Sequence, residues 1–526
     1  MQWDRWGDPD KRKVLSDGVK SLLEQALGVK VDDSRNLDAD SVVLTPSVLS
    51  ERGLAALADI VGEDHVGTSH RDRLLRAGGK STLDLLRRRS AEPQDAPDAV
   101  VTPGNDDEIA RVLSYASENS IAVVPFGGGT SVVGGLDPVR DRFDAVISLD
   151  LRRFDTLVDL DTASGIAVLG SGLTGPRAEE LLGEQGYSLG HFPQSFLFAT
   201  IGGFAATRSS GQASAGYGRF EDMVQGLRVV TPTGSIDTGR APASAAGPDL
   251  GELFVGSEGT LGVITQVRVR VHPVPETTVC EGWNFPDFAT GAAALRAVVQ
   301  AGTMPTVMRL SDEAETGVNL ATTDKIGEDS VTGGCLSITT FEGTAEHTAE
   351  RADEARAILK AHGGTSLGEE PGNDWEHGRF DAPYLRDSLL DAGALCETLE
   401  TATNWGNVDN LKTAVTTALT SALSEQGTPP LVMCHISHTY QTGASLYFTV
   451  VCGQTEHPIS QWRKAKTAAG DAIIAAGGTI THHHAVGVDH RPWMEDEIGD
   501  LGVRVLRAVK AAVDPAGILN PGKLIP

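Results

Sequence analysis

Apolar positions in the first 90 residues recur at helical spacing. Val14, Val19, Leu22, Leu23 and Leu27 form a rough stripe, and residues 50–61 and 83–89 continue it, which predicts a helical N-terminal region, 1–92, serving as a packing collar. After the polar, proline-bearing connector 91–97 the period changes. Val100, Val101 and Thr102 read as a short strand, and Asn105 caps a helix with Asp106, Asp107 and Glu108 in its first turn and Ile109, Val112, Leu113 and Ala116 on its inner face. Further strands fall at 121–124, 145–148, 165–169 and 227–231. In 263–271, Val267, Val269 and Val271 alternate with Gln266, Arg268 and Arg270, as a half-buried strand requires. His272-Pro273-Val274-Pro275 closes that region. Beyond Cys280, helices are expected at 288–299, 348–361 and 500–513. The polar stretch 313–334 has few apolar anchors and reads either as a mobile loop near a substrate entrance or as surface disorder.

The apolar run 121–124 ends in Pro125, Phe126, Gly127, Gly128, Gly129, Thr130 and Ser131. Three glycines without Cβ atoms let backbone N–H groups turn towards an anion, and a diphosphate fits that description. No G-x-G-x-x-G opens a helix here and no Gly-Lys-Ser/Thr closes the loop, so it is neither a Rossmann fingerprint nor a P-loop. Taken alone, such a run is also compatible with a plain tight turn.

A chain of 526 residues exceeds one hydrophobic core and implies two or three domains. Five scattered cysteines without C-x-x-C spacing disfavour iron–sulfur, structural zinc and a disulfide framework. The net charge of −27 opposes binding to nucleic acid and to anionic bilayers, leaving at most peripheral membrane contact. No apolar run approaches the roughly 20 residues of a membrane span, no signal core follows Met1, and the terminal Lys523-Leu-Ile-Pro526 is not a peroxisomal address. A cytoplasmic protein is expected.

Further segments give the glycine loop its context. Gln194, Ser195 and Thr200 lie in Gln-Ser-Phe-Leu-Phe-Ala-Thr, with Gly202 just behind; Thr207, Arg208, Ser209 and Ser210 follow; then come Glu258, Gly259, Thr260, Leu261, Gly262, Val263 and Ile264. In this order they resemble the flavin-contacting segments of the vanillyl-alcohol-oxidase (PCMH) type of FAD-binding domain. The resemblance implies an α+β protein with a two-subdomain FAD-binding domain at 93–276, an α+β cap (substrate) domain at 277–470, and a C-terminal segment, 471–526, packing back on the FAD domain. No histidine or cysteine lies in 125–136, where some relatives tether their cofactor, so noncovalent FAD is expected.

His482, His483 and His484 cannot all face one side of a helix or strand. Imidazole exchanges protons near neutral pH and also ligates metals, but no carboxylate or histidine follows at i+3 to i+5 except the remote Asp489 and His490, so no metal is expected and a catalytic or phosphate-binding cluster is the better reading. The run 478–487 is similar to the histidine-triplet segment of the alkyldihydroxyacetonephosphate synthase family, as are 384–387, 397–405, 439–444 and 446–448. This resemblance implies exchange of the acyl group of acyl-dihydroxyacetone phosphate for a fatty alcohol through a flavin N5 adduct. It further implies that His483 is the acid/base group flanked by His482 and His484, that Tyr447 assists proton transfer, that Arg386 holds the departing carboxylate, and that Arg309 supports the site. A lipid-like substrate and a homodimer are expected. The family usually carries arginine where this chain has His435 and glycine where it has Ala485. Two alternatives stay open: an FAD-dependent 2-hydroxy acid dehydrogenase or oxidase, and a flavin- or lipid-binding protein without catalysis.

Overall fold

The computed structural model describes residues 1–29, 38–90, 92–322 and 333–526. Two sheets build the FAD-type domain. In the first, the strands run in the order Val66–Gly67, Ala99–Val101, Ala145–Asp150, Ile121–Phe126, the last three mutually parallel. Asn105 caps helix Asp106–Glu118 by accepting the Glu108 N–H at 2.9 Å, and Ile109, Val112, Leu113 and Ala116 are fully buried against this sheet, as their spacing predicts. The second sheet is antiparallel, ordered Leu157–Asp161, Ile166–Gly170, Val263–Arg270, Val224–Thr231, Gly234–Asp237. Val267 and Val269 are buried in it while Arg270 is exposed.

The third sheet positions the chemistry. Its seven strands are ordered Thr365–Gly368, Thr277–Phe285, Cys335–Gly343, Val307–Ser311, Leu431–Thr439, Gly443–Gly453, Ala394–Asn404. Helices Phe288–Ala301, Ala345–Ala361, Val408–Ser424 and Pro458–Ala475 contribute to one apolar core with it. The C-terminal tail returns to the first sheet, where Val123 pairs with Leu519 and the Asn520 N–H donates to the Val123 carbonyl at 2.8 Å.

Three expectations need revision. The first long helix is Asp17–Leu27, capped by Ser16, and Val14 lies outside it with 87% of its surface exposed. The stretch expected to be a loop begins as helix Glu313–Thr322, and its part at 323–332 lies outside the described residues. The last helix is longer than its apolar stripe, Met494–Val513, with a kink at Gly499. The N-terminal region shares the cores of its neighbours. Leu15, Leu23 and Val29 pack with Leu389, Met433 and Val451, whereas Leu57 and Val61 join the core of the first sheet.

Candidate active site

Strand register explains why residues far apart in sequence converge. Across four neighbouring strands, Ser311 faces His435, His435 faces Tyr447, and Tyr447 faces Glu400, while Arg309 lies two residues before Ser311 on the same side. His435 stacks on Tyr447 with ring centroids 5.0 Å apart, and Tyr447 in turn stacks on His483 at 6.0 Å.

The histidine triplet is folded around Glu400. This fully buried carboxylate accepts the His482 N–H at 2.5 Å, the His484 N–H at 2.8 Å, the His483 N–H at 3.1 Å and the Thr481 hydroxyl at 2.6 Å. Consecutive N–H groups can share one acceptor only if the chain curls, so the triplet is neither helix nor strand, and its rings fan out on several sides. Burial opposes the Glu400 charge, but the neighbouring imidazoles and Thr481 outweigh it and hold the carboxyl well below its usual range. Burial pushes His482 and His483 well down, and His484 down, despite that carboxylate. At neutral pH the pattern is therefore one ionised carboxylate beneath three neutral imidazoles. Ala485 closes the curl at φ +72°, a conformation that glycine adopts without strain.

Sequence reasoning passed over several members of this cluster. Glu400 sits in the run 397–405, but strand alternation alone could not say which of Glu397 and Glu400 faces the triplet. Tyr440 reaches His482 Nε2 at 2.6 Å, and His438 stands 5.0 Å from the His482 ring. Arg219, which comes from the FAD-type domain, donates to the His482 carbonyl at 2.7 Å and to the Arg208 carbonyl at 2.9 Å. His438, His482 and His483 each offer a ring nitrogen within 4.8 Å of the others, spacing that could hold a metal ion. In the structure His438 is instead satisfied by the Gly211 carbonyl at 3.0 Å and by Ser445.

The predicted arginines are engaged. Arg309 donates to Glu315 at 2.8 Å, and Glu315 also meets His435 at 2.8 Å. Burial works against ionisation of Glu315, yet His435 and Arg309 bring its carboxyl down to about 2. Arg386 is buried and directs its fork at Asp387, at 3.0 and 3.2 Å, with a third contact to the Lys80 carbonyl at 2.7 Å. Burial pushes the Tyr447 hydroxyl upward, and the Arg386 charge works against that only as the smallest of several influences.

The segments expected to hold FAD pack against one another. A Cβ on Gly127 would lie 2.4 Å from Thr200 Oγ1 and one on Gly128 2.0 Å from the Phe198 carbonyl, so the glycines let loop 125–131 seat against 194–200. Gln194 Nε2, Ser210 Oγ and Ser257 Oγ are buried without a hydrogen-bond partner among the described residues, a donor set suited to a cofactor with many acceptor oxygens and nitrogens. Ser209 is bonded to His191 at 3.0 Å, Thr200 caps helix Ile201–Ala206, and Thr207 bonds back to Gly203. Arg208 points its guanidinium at Glu252, and the Glu258 carboxylate accepts the Val486 and Gly487 N–H groups, tying the flavin-type segment to the triplet curl. Leu261, Val263 and Ile264 are core side chains, and the last two pair with Val230 and Val229 in the second sheet.

Fold and cradle define a flavoprotein of the FAD-linked oxidase class. Residues 97–239 match the FAD binding domain family, and residues 274–524 match the family described as FAD linked oxidases, C-terminal domain. FAD is its cofactor. The chain is 33% identical to the alkyldihydroxyacetonephosphate synthase of Trypanosoma brucei brucei over 100% of its own length and 92% of the relative's, and 34% identical to that of Dictyostelium discoideum over 99% and 85%. A solved alkyldihydroxyacetonephosphate synthase structure superposes with a TM-score of 0.86 at 30% identity, covering 100% of this chain and 99% of the other. This chain belongs to the alkyldihydroxyacetonephosphate synthase family.

Proposed function

We propose that the protein exchanges the acyl group of acyl-dihydroxyacetone phosphate for a fatty alcohol, forming an ether bond. The observation that carries this reading is the convergence of Tyr447 and the three histidines on Glu400, joined through Glu258 to the FAD cradle. When bound, FAD supplies nucleophilic covalent chemistry with no net electron transfer. His483 moves the proton between the reacting groups, with Tyr447 stacked beside it. A neutral imidazole is the form required, and burial of the cluster supplies it. Arg386 orients the departing carboxylate. Its fork rests on Asp387, whose other oxygen accepts the Trp6 N–H at 2.5 Å, so the substrate carboxylate would meet the guanidinium N–H groups that Asp387 and the Lys80 carbonyl leave open. Arg309 keeps Glu315 and His435 in place under Tyr447. FAD is held noncovalently, since loop 125–136 offers no tethering side chain. The assembly is a homodimer, and membrane contact is at most peripheral: among the described residues no helix is long and apolar enough to cross a bilayer.

The competing reading is dehydrogenation of a 2-hydroxy acid. Anaerobic mixing of the yellow protein with acyl-dihydroxyacetone phosphate, and separately with D-lactate, separates the two. The exchange reading predicts a spectral change without reduction for the first and none for the second. Bleaching by D-lactate would overturn it.

A further inference from the structure

Three side chains, Tyr440, His482 and His483, form a hydrogen-bonded row, and the Arg219 charge at its Tyr440 end gives it a direction. Arg219 is fixed by two carbonyls and by Glu221 at 3.0 Å, and its positive charge acts on the Tyr440 hydroxyl, which favours the oxygen lone pairs towards it and the proton away from it. The Tyr440 proton is then directed at His482 Nε2, 2.6 Å away. With Nε2 accepting, the neutral His482 ring carries its proton on Nδ1, and this lies 2.9 Å from His483 Nδ1. His483 Nδ1 must accept, so the remaining ring proton sits on Nε2. Glu400 does not reverse this order. Its oxygens already receive four donors, and the nearer one is 3.6 Å from His483 Nδ1, too far to claim that proton. His438 does not interfere either: its Nε2 faces the Gly211 carbonyl and must carry its proton there, and its Nδ1 faces Ser445.

We infer that Arg219 and Tyr440 are positioning residues that lock His483 in one tautomer, with Nε2–H presented to the substrate and Nδ1 fed by His482. The inference rests on the acid/base role proposed above for His483. It adds direction to that role. His483 begins the cycle as a proton donor. As Nε2–H is delivered to a substrate oxygen, the His482 proton passes to His483 Nδ1 and the Tyr440 proton to His482 Nε2, leaving a phenolate that burial disfavours and the Arg219 charge favours. The proton of the incoming alcohol then enters at Nε2 and the row runs back.

The test is 15N NMR of histidine-labelled, flavin-loaded protein, with His483 assigned by difference against His483→Ala, alongside turnover per bound flavin. Wild type is expected to show His483 protonated only at Nε2. Tyr440→Phe is expected to give a mixture of tautomers and to lower kcat at least about tenfold, with KM changing less than about threefold. Arg219→Lys, which keeps the charge but not the fork, should move the same two readouts in the same direction. A wild-type His483 protonated at Nδ1, or a Tyr440→Phe protein with an unchanged tautomer and kcat within about twofold, would overturn the inference. The NMR readout needs no substrate. If the tautomer shifts as expected while no enzyme form exchanges acyl groups, the functional reading fails and the positioning inference stands.

Discussion

Glu400→Gln perturbs the centre of the cluster at nearly constant volume. Three of the four donors, from Thr481, His483 and His484, converge on one carboxylate oxygen, and the fourth, the His482 N–H, meets the other. A glutamine can place its carbonyl oxygen at the first position, but its NH2 then faces the His482 N–H, donor against donor. Hydrogen bonds to a charged group contribute about 1.5–3 kcal/mol and neutral ones about 0.5–1.5, so the three retained contacts weaken by about 1 kcal/mol each. The unpaired His482 N–H costs about 1–3 kcal/mol more, for a total of about 4–6 kcal/mol. That is enough to uncurl the triplet without unfolding the FAD-type domain, because local opening needs less free energy than global unfolding. The assay is hydrogen exchange over 480–490 together with flavin content and turnover per flavin. Faster exchange confined to that segment, with FAD retained and turnover lost, is expected. Wild-type protection and turnover in Glu400→Gln would refute the reasoning.

Ala485→Gly removes a left-handed strain on the order of 1 kcal/mol, and the apparent Tm should rise by about 2 °C; a fall would show that the curl does not strain Ala485. Gly128→Val places a branched side chain where even a Cβ meets the Phe198 carbonyl at 2.0 Å, so flavin retention should be lost while the rest of the fold persists; stoichiometric FAD in the variant would show that this loop is not the cradle. Acid should destabilise the protein early. Burial lowers His191 and His490 to about 3 and His438 to about 4. Below the unfolded value near 6.5 the unfolded chain binds protons that the folded one refuses, so stability falls with pH from there towards each folded pKa, by about 2 kcal/mol per histidine between pH 6.5 and 5. A calorimetric Tm that stays flat between pH 7 and 5 would contradict this.

Much of the fold was legible because single elements carry local signals. Asn105 with its acidic first turn, and the valine alternation at 267–271, needed no tertiary information. The glycine loop was legible as a turn without Cβ atoms, but the reason for Gly128 was not. Its φ is not positive, and its missing Cβ makes room for the Phe198 backbone, a contact about 70 positions away in sequence that only packing reveals. The histidines and Tyr447 could be named from the chain, whereas Glu400, Tyr440 and Arg219 could not. Their roles depend on strand register and on a crossing from the FAD-type domain to the triplet, and a lone Glu, Tyr or Arg in sequence has no such address. Arg386 and Arg309 show the opposite limit. Arg386 was named as the holder of a carboxylate and Arg309 as a support of the site, and the chain could not show that they pair with Asp387 and Glu315.

The central claim is acid/base exchange chemistry at His483 on bound FAD, and the most direct measurement is turnover of long-chain acyl-dihydroxyacetone phosphate and a fatty alcohol, expressed per bound flavin, for wild type and His483→Ala. Release of one fatty acid per ether product by wild type, and a loss of about 10² to 10⁴ in His483→Ala at unchanged FAD content, is the predicted result. Equal turnover per flavin in the two proteins, or no exchange by a fully flavin-loaded wild type, would contradict it.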